Sequence, residues 1–378
     1  MLTYDRLKTI SKIAFPLSVA ISANLVMDLI DIAMVGRLGH KAVAAVGLAA
    51  FSNTLVLALV GGIAAAVQGI VARRRGESSK EPLCRPLNGG LFLALVIGIP
   101  LAFFCYRFAP VLFSLISSDP EVTRLGVPFL KVRYLAIPVA GMLYAFKGHW
   151  AGVERTRTYM LVILLMDIVN IAVNYVLIFG HFGAPALGVA GAAVGTVTAM
   201  CVGLITNMAI ATFRHRADGF LTARPDRSLL TRIYKLAIPA NMQEFFFSAG
   251  YIAFFWIVGK IGTAELAAMN VQVRVGIMML IVAAALGQTS ATLVSRTVGE
   301  GDVAGAAKWG WDCGKLGVIV SVLLGLPLVL FPKFFLSIFL HNPQVIEMAT
   351  IPFQIVMGTA GLGSLIWIFA YTLYSVGD

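Results

Sequence analysis

Pro86-Leu-Asn-Gly-Gly-Leu-Phe-Leu-Ala-Leu-Val-Ile-Gly-Ile-Pro-Leu-Ala-Phe-Phe-Cys-Tyr106 is a run of 21 residues without a charge. It meets the ~20 apolar residues that a helix needs to cross a hydrocarbon core. The surrounding chain repeats the pattern: of 378 residues 59% are hydrophobic and 12% charged, about half the charged share of a soluble domain. Breaks at charge clusters and Gly/Pro/Asn groups predict ten spanning helices, near 13–35, 43–72, 87–106, 132–151, 159–180, 187–212, 236–258, 272–295, 314–340 and 351–376. Strands of a membrane barrel would alternate over ~10 residues, and runs such as Leu187–Thr212 do not. The expected fold is an all-α polytopic membrane protein.

The formal charge of +11 is a matter of topology. With the N-terminus inside, 20 of the 29 Lys and Arg fall on the inner side, among them Arg73, Arg74, Arg75 and Lys80, and Arg214, Arg216, Arg224, Arg227, Arg232 and Lys235. The other nine, which include Arg133 and Arg274, fall on the outer side. This bias orients the N-terminus toward the cytoplasm and accounts for the positive charge without nucleic acid. Cys84, Cys105, Cys201 and Cys313 have no close spacing, and His40, His149, His181, His215 and His341 are scattered. Neither a disulfide framework nor a metal site is expected from them.

Residues 1–23 have the outline of a signal peptide, but the same kind of segment returns mid-chain. A shift of 223 residues places Lys12 on Lys235, Pro16 on Pro239, Gly36 on Gly259, Gly39 on Gly262 and Ala44-Ala45 on Ala267-Ala268. Without a gap, Val71, Arg73, Gly76 and Glu77 fall on Val294, Arg296, Gly299 and Glu300, and Asp119-Pro120 falls on Asn342-Pro343. The repeat restarts after six spans, so both copies enter the membrane from one side, as parallel repeats do in many secondary transporters. The expected organisation is an N-lobe at 1–213, a cytoplasmic linker at 214–235 and a C-lobe at 236–378. Because Arg155 maps to Asp378, the second six-helix repeat is expected to be truncated after four helices.

Asn24, Asp28 and Asp31 are spaced i, i+4, i+7 and share one face of the first helix. Carboxylates at membrane depth are costly and point to function. Asp31 lies near the outer end of its span, where it either binds a coupling ion or sits in interfacial water. Asp167, Asn170 and Asn174 make a second stripe on span five, read either as interhelical packing or as the other wall of an ion site, with Thr196 offering a hydroxyl. In the second lobe the repeat equivalents of Asp28 and Asp31 are Tyr251 and Phe254, so the lobes are asymmetric. Its candidate acid is Glu244, beside Gln243, with Arg274 as a possible ion-pair partner. The run Phe245, Phe246, Phe247, Tyr251, Phe254, Phe255, Trp256 faces either lipid or a substrate cavity. No H-E-x-x-H, G-x-S-x-G or P-loop is present, so neither an enzyme nor an ATP-driven pump is expected.

Several segments resemble the multidrug and toxic compound extrusion (MATE) transporters. They are Pro16…Asp31-Ile-Ala-Met-Val-Gly36-Arg-Leu-Gly39 in span one, Lys147-Gly148…Gly152 after span four, Asn170…Asn174-Tyr-Val-Leu-Ile-Phe-Gly180, Gly188-Val-Ala-Gly191, and Pro239…Gly259-Lys-Ile-Gly262. The resemblance covers nearly the whole chain and is closest to the DinF-like branch. It implies two six-helix lobes around a central cavity and export of cationic or amphiphilic small molecules, driven by H+ or Na+ entry through the bacterial-type inner (plasma) membrane. It also favours Asp31 as the coupling acid. Asn24, Glu244, Gln243, Tyr251 and Phe247 are the residues expected to line the substrate cavity. No cofactor beyond the coupling ion is expected, and the chain is read as a monomer. Asn174 stands where many members carry an acid. The rival reading is a lipid-linked oligosaccharide or polysaccharide-precursor flippase, which would carry cations in its cavity, whereas Lys147 and Arg274 are expected near helix ends.

Overall fold

The computed structural model describes residues 3–77, 81–340 and 342–377. Lys80, His341 and Asp378, which enter the charge, histidine and repeat readings, lie outside the described residues. The described residues are helical and contain no strand. In order they form α1 (Tyr4–Gly36), α2 (His40–Gly61), α3 (Ile63–Gly76), α4 (Arg85–Ile116), α5 (Pro120–Leu135), α6 (Ile137–Gly152), α7 (Thr156–Phe179), α8 (Val189–His215), α9 (Arg227–Ile261), α10 (Thr263–Gly299), α11 (Val303–Leu330), α12 (Pro332–Ser337), α13 (Pro343–Gly358) and α14 (Ala360–Val376). Among the described residues, eight helices are long and apolar enough to cross a membrane, or up to ten if the bent pairs α5–α6 and α13–α14 each count as one span.

The helices run longer than the apolar stretches that announce them, because the apolar run measures the hydrocarbon layer while the helix continues into the polar surface. α9 begins at Arg227, inside the stretch expected to be linker, where Asp226 caps it by accepting from the Leu229 N–H at 3.2 Å. The non-helical connection therefore contracts to 216–226. α5 begins twelve residues before its expected span, behind Pro120 and an Asp119 cap that accepts from Glu121 N–H at 2.8 Å and Val122 N–H at 3.3 Å. Those two donors hold the exposed Asp119 carboxyl below the usual carboxylate range.

Element ends recur with the sequence repeat. Shifted by 223 residues, α10 covers the joint extent of α2 and α3, and α13 the extent of α5. The bends at Ala136 and Thr359 are 50° and 44°. Asn342 caps α13 as Asp119 caps α5, and the i,i+4 pairs Arg73–Glu77 and Arg296–Glu300 both measure 2.9 Å.

The two halves meet through reciprocal contacts. A Cβ built on Gly76 would overlap the Arg296 carbonyl oxygen, and one on Gly299 would overlap that of Arg73. Only glycine allows two helices this close. Around this crossing, Gln68 Nε2 donates to Gln288 O at 2.6 Å and to Thr292 Oγ1 at 2.8 Å. Arg296 reaches Glu154 at 3.0 Å. Each half also lends the start of its first helix to the other. Ile10, Ile13, Ala14 and Leu17 of α1 are buried among Ala285, Leu286, Leu293, Cys313 and Ile368, while Leu229, Ile233 and Ala237 of α9 belong to the core of the first half. Arg6 anchors α1 to α11 through a 2.6 Å ion pair with Asp312. These contacts gather where α1 begins and where α3 and α10 end.

Gly76→Ala is expected to destabilise the protein by about 1–3 kcal/mol through overpacking of the crossing. Gly47, with open space beside it, is the control, and Gly47→Ala should be neutral or slightly stabilising. Thermal unfolding of the two variants in detergent compares them directly.

Candidate functional site

The first cavity, of about 390 Å³, lies within the first half. α1 lines it with Asn24, Asp28 and Asp31, α7 with Asp167 and Asn170, and α8 with Thr196. The two polar stripes therefore face each other. Asn174 joins them: its Nδ2 donates to Asp31 Oδ1 at 2.7 Å and to Asn170 Oδ1 at 2.5 Å. Asn170 and Asn174 are buried, at 4% and 0% exposure. The Asn174 Oδ1 is buried without a hydrogen-bond partner among the described residues, an acceptor held away from solvent beside a carboxylate. Its position depends on Gly195, since a Cβ there would overlap Asn174 Oδ1. Gly191 likewise brings α8 against the Leu177 carbonyl of α7, so the glycine-rich start of α8 serves close packing. Thr196 turns its hydroxyl hydrogen to Ala192 O at 2.9 Å and keeps an acceptor for the cavity. Asn24 donates back to Ala20 O at 3.1 Å.

A second cavity, of about 290 Å³, lies between the halves and is lined by Gln243, Glu244, Gln288, Tyr144, Lys147 and Tyr371, among others. Tyr144 and Lys147 line both cavities and form a shared wall. Phe247 and Tyr251 face a third cavity, of about 330 Å³, within the second half, where Phe247 packs edge-on to Trp367 with ring centroids 5.1 Å apart. Phe246 and Trp256 are 66% and 62% exposed on the outer face. The aromatic run thus divides between cavity and periphery, as its helical spacing requires.

Two expectations about charge are overturned. Arg274 does not partner Glu244: it is exposed on α10, outside the lining of these cavities. The cation that shares the Glu244 cavity is Lys147. Arg133, expected on the outer side, lines the acidic first cavity; Lys147 lies near the end of α6, as expected, and lines the same cavity. The bend at Ala136 carries Arg133 inward rather than out to the surface. The signal was its place in a capped helix, with Pro120 three and a half turns before it. Cys84, His149 and His215, far apart in sequence and expected to be unrelated, come together at the other end of the first half.

A membrane-embedded pair of repeated helical halves, with facing acidic and amide stripes and no nucleotide-binding loop in the sequence, defines a polytopic transporter of small molecules. The profile of the MatE family matches residues 16–176 and 239–378, two segments whose starts lie at Pro16 and its repeat equivalent Pro239. The chain belongs to the MatE family, the multidrug and toxic compound extrusion transporters, and is not an enzyme. It is 27% identical over 350 residues to a probable multidrug resistance protein NorM of Brucella suis biovar 1, covering 89% of this chain and 74% of the relative. It is 28% identical over 380 residues to the NorM of Burkholderia pseudomallei, covering 94% and 78%. These relatives do not specify the DinF-like branch. Among solved structures, its fold matches a MOP superfamily transporter from Pyrococcus furiosus described as having a binding pocket of reverse polarity, at TM-score 0.89, 19% identity and coverage of 98% of this chain and 83% of that one. It also matches an outward-facing multidrug resistance MATE transporter, at TM-score 0.88, 18% identity and the same coverage.

Gly195→Ala should displace the Asn174 amide from Asp31 without removing any polar group. The expected result is a loss of about 1–3 kcal/mol in stability, the scale of a lost hydrogen bond to a charged group. Asn174→Ala should lose a similar amount, and the double variant should lose less than the sum of the two, in a thermal-unfolding cycle.

Proposed function

We propose that the protein exports cationic and amphiphilic small molecules, drugs among them, in exchange for H+ or Na+, by alternating access between lobes at 1–213 and 236–378. The carrying observation is the 2.7 Å bond between Asn174 and Asp31 at the wall of the acidic cavity. An ionised Asp31 accepts from the Asn174 amide. Once protonated, it becomes a donor and needs an acceptor, which the Asn174 amide supplies by turning its unpartnered Oδ1 toward Asp31 while the Asn170 amide turns with it to present Nδ2 to the same oxygen. A small cation would be met by oxygens instead, those of Asp31, Asn170 and Asn174, the ligand type that hard ions require. Asp28 and Asp167 add negative potential around that position, while Asn24 and Thr196 complete the wall.

Substrate would occupy the spaces lined by Gln243, Glu244, Phe247 and Tyr251, where a carboxylate and aromatic faces attract a cation. The tight crossing at Gly76 and Gly299 closes the side nearer the N-terminus. With the N-terminus cytoplasmic, as the distribution of Lys and Arg supports, this is an outward-facing state in a bacterial-type inner membrane. The transporter acts as a monomer and uses no cofactor other than its coupling ion.

Arg133 and Lys147 favour a second reading, movement of a lipid-linked precursor with an anionic head group. Dye efflux separates the two. Cells expressing the chain, energised by a proton or a sodium gradient in turn, should export a cationic dye under one of them. Asp31→Asn should reduce that efflux at least tenfold at equal expression. Wild-type efflux in Asp31→Asn removes Asp31 from the mechanism, and absence of dye efflux under both gradients in the wild type favours the flippase.

A further inference from the structure

At the end of the first half away from its acidic cavity, the start of α4 and the ends of α6 and α8 converge on three side chains. Cys84, His149 and His215 are buried, at 0%, 0% and 5% exposure. One ligand atom from each lies within 4.8 Å of the others, and Cys84 Sγ is 3.9 Å from His149 Nε2. His215 contacts Asp218 Oδ2 through Nδ1 at 2.7 Å and Arg155 Nη1 through Nε2 at 2.8 Å. A guanidinium only donates, so Nε2 is the bare nitrogen and Nδ1–H donates to Asp218. A carboxylate on the far nitrogen is the arrangement that orients a metal-ligating imidazole and raises its basicity. His149 Nδ1 is buried with no hydrogen-bond partner among the described residues, and Nε2 meets only the Cys84 sulfur at 3.9 Å, so no N–H or O–H donor among the described residues takes up the lone pair of this imidazole.

We propose that Cys84, His149 and His215 form a binding site for one divalent ion of the zinc type. One thiolate with two imidazoles is a donor set that favours Zn2+ over Mg2+ or Ca2+. With Zn–S near ~2.3 Å and Zn–N near ~2.0–2.1 Å, tetrahedral ligand atoms stand roughly 3.3–3.6 Å apart, so the cluster needs only a modest contraction. The lone pair that the ion would take on His215 is now met by the Arg155 guanidinium. Arg155 is exposed and can swing into solvent, leaving the fourth position to water. Cys84 would bind as the thiolate, so each ion bound displaces one thiol proton to solvent.

The site would fasten a hinge of the sequence. The connection 216–226 is already held to α4, since Asn88 Nδ2 donates to Gly219 O and Ala223 O, both at 2.9 Å, and Cys84 N–H donates to Asp218 O at 3.0 Å. An ion on Cys84, His149 and His215 would tie three helices to the segment that joins the two halves.

The test uses the full chain, purified in detergent without a polyhistidine tag and stripped with chelator. Titration with Zn2+ should show one equivalent bound, and Co2+ should give a thiolate-to-cobalt charge-transfer band together with tetrahedral d–d bands. Cys84→Ser should abolish the charge-transfer band and weaken Zn2+ binding at least tenfold. Arg155→Ala, an exposed change that leaves the ligands in place, should tighten it several-fold. An adventitious surface site is the alternative: no stoichiometric binding to folded wild type, a cobalt spectrum without the thiolate band, or Zn2+ affinity unchanged in Arg155→Ala would each overturn the proposal.

Discussion

A backbone N–H or C=O facing hydrocarbon has no water to bond, so every segment at membrane depth must satisfy its own polar groups. The all-helical architecture follows from this constraint, and so does the way the helices meet. Lipid tails are as apolar as leucine side chains, so apolar contact gives helices little reason to prefer each other over lipid. What remains is close backbone approach and polar contact. Gly76 and Gly299 supply the first at the junction of the halves. Gln68, with Gln288 and Thr292, supplies the second beside it. The acidic cavity uses the same two devices in smaller compass: Gly195 lets α8 press on α7, and the space so gained is filled by the Asn174 amide bonded to Asp31.

The electrostatics of the cavities are mixed rather than purely acidic. Asp28, Asp31 and Asp167 share a space with Arg133 and Lys147, and Lys147 also borders the cavity of Glu244. Charges in such a setting interact more strongly than in bulk water. Neutralising one carboxylate shifts the field of the cations toward those that remain.

Much of this was legible in the amino-acid order, for definite reasons. Ten apolar runs and an ungapped offset of 223 specify the helices and their repetition, because hydrocarbon thickness and helix pitch are fixed quantities. The Asn24/Asp28/Asp31 and Asp167/Asn170/Asn174 stripes were readable since spacing alone puts such residues on one face. The depth of Arg133 was hidden by the bend at Ala136, which a straight-helix reading cannot supply. The exposed position of Arg274 depends on how α10 is rotated against α9 and α14, a tertiary choice. Cys84, His149 and His215 are separated by 65 residues or more, and only the convergence of α4, α6 and α8 brings them together. The start of α9 was misplaced because its first turns are charged, although Asp226 announces the cap.

The exchange of first helices between the halves also sets an order of events during synthesis. Ile10, Ile13, Ala14 and Leu17 are made first, yet apart from Tyr159 and Ile21 the residues that bury them begin at Val282. At roughly 5–20 residues per second, the start of α1 waits on the order of ten to fifty seconds for these neighbours. Arg6 lacks its Asp312 counter-charge for the same interval. α9 suffers no such delay, since the core it enters is complete when it emerges. The nascent chain therefore passes through a long-lived stage in which its earliest helix is held by α7 and its neighbours in the first half while its inner end is only partly covered. That stage is where membrane chaperones and quality-control proteases would find it.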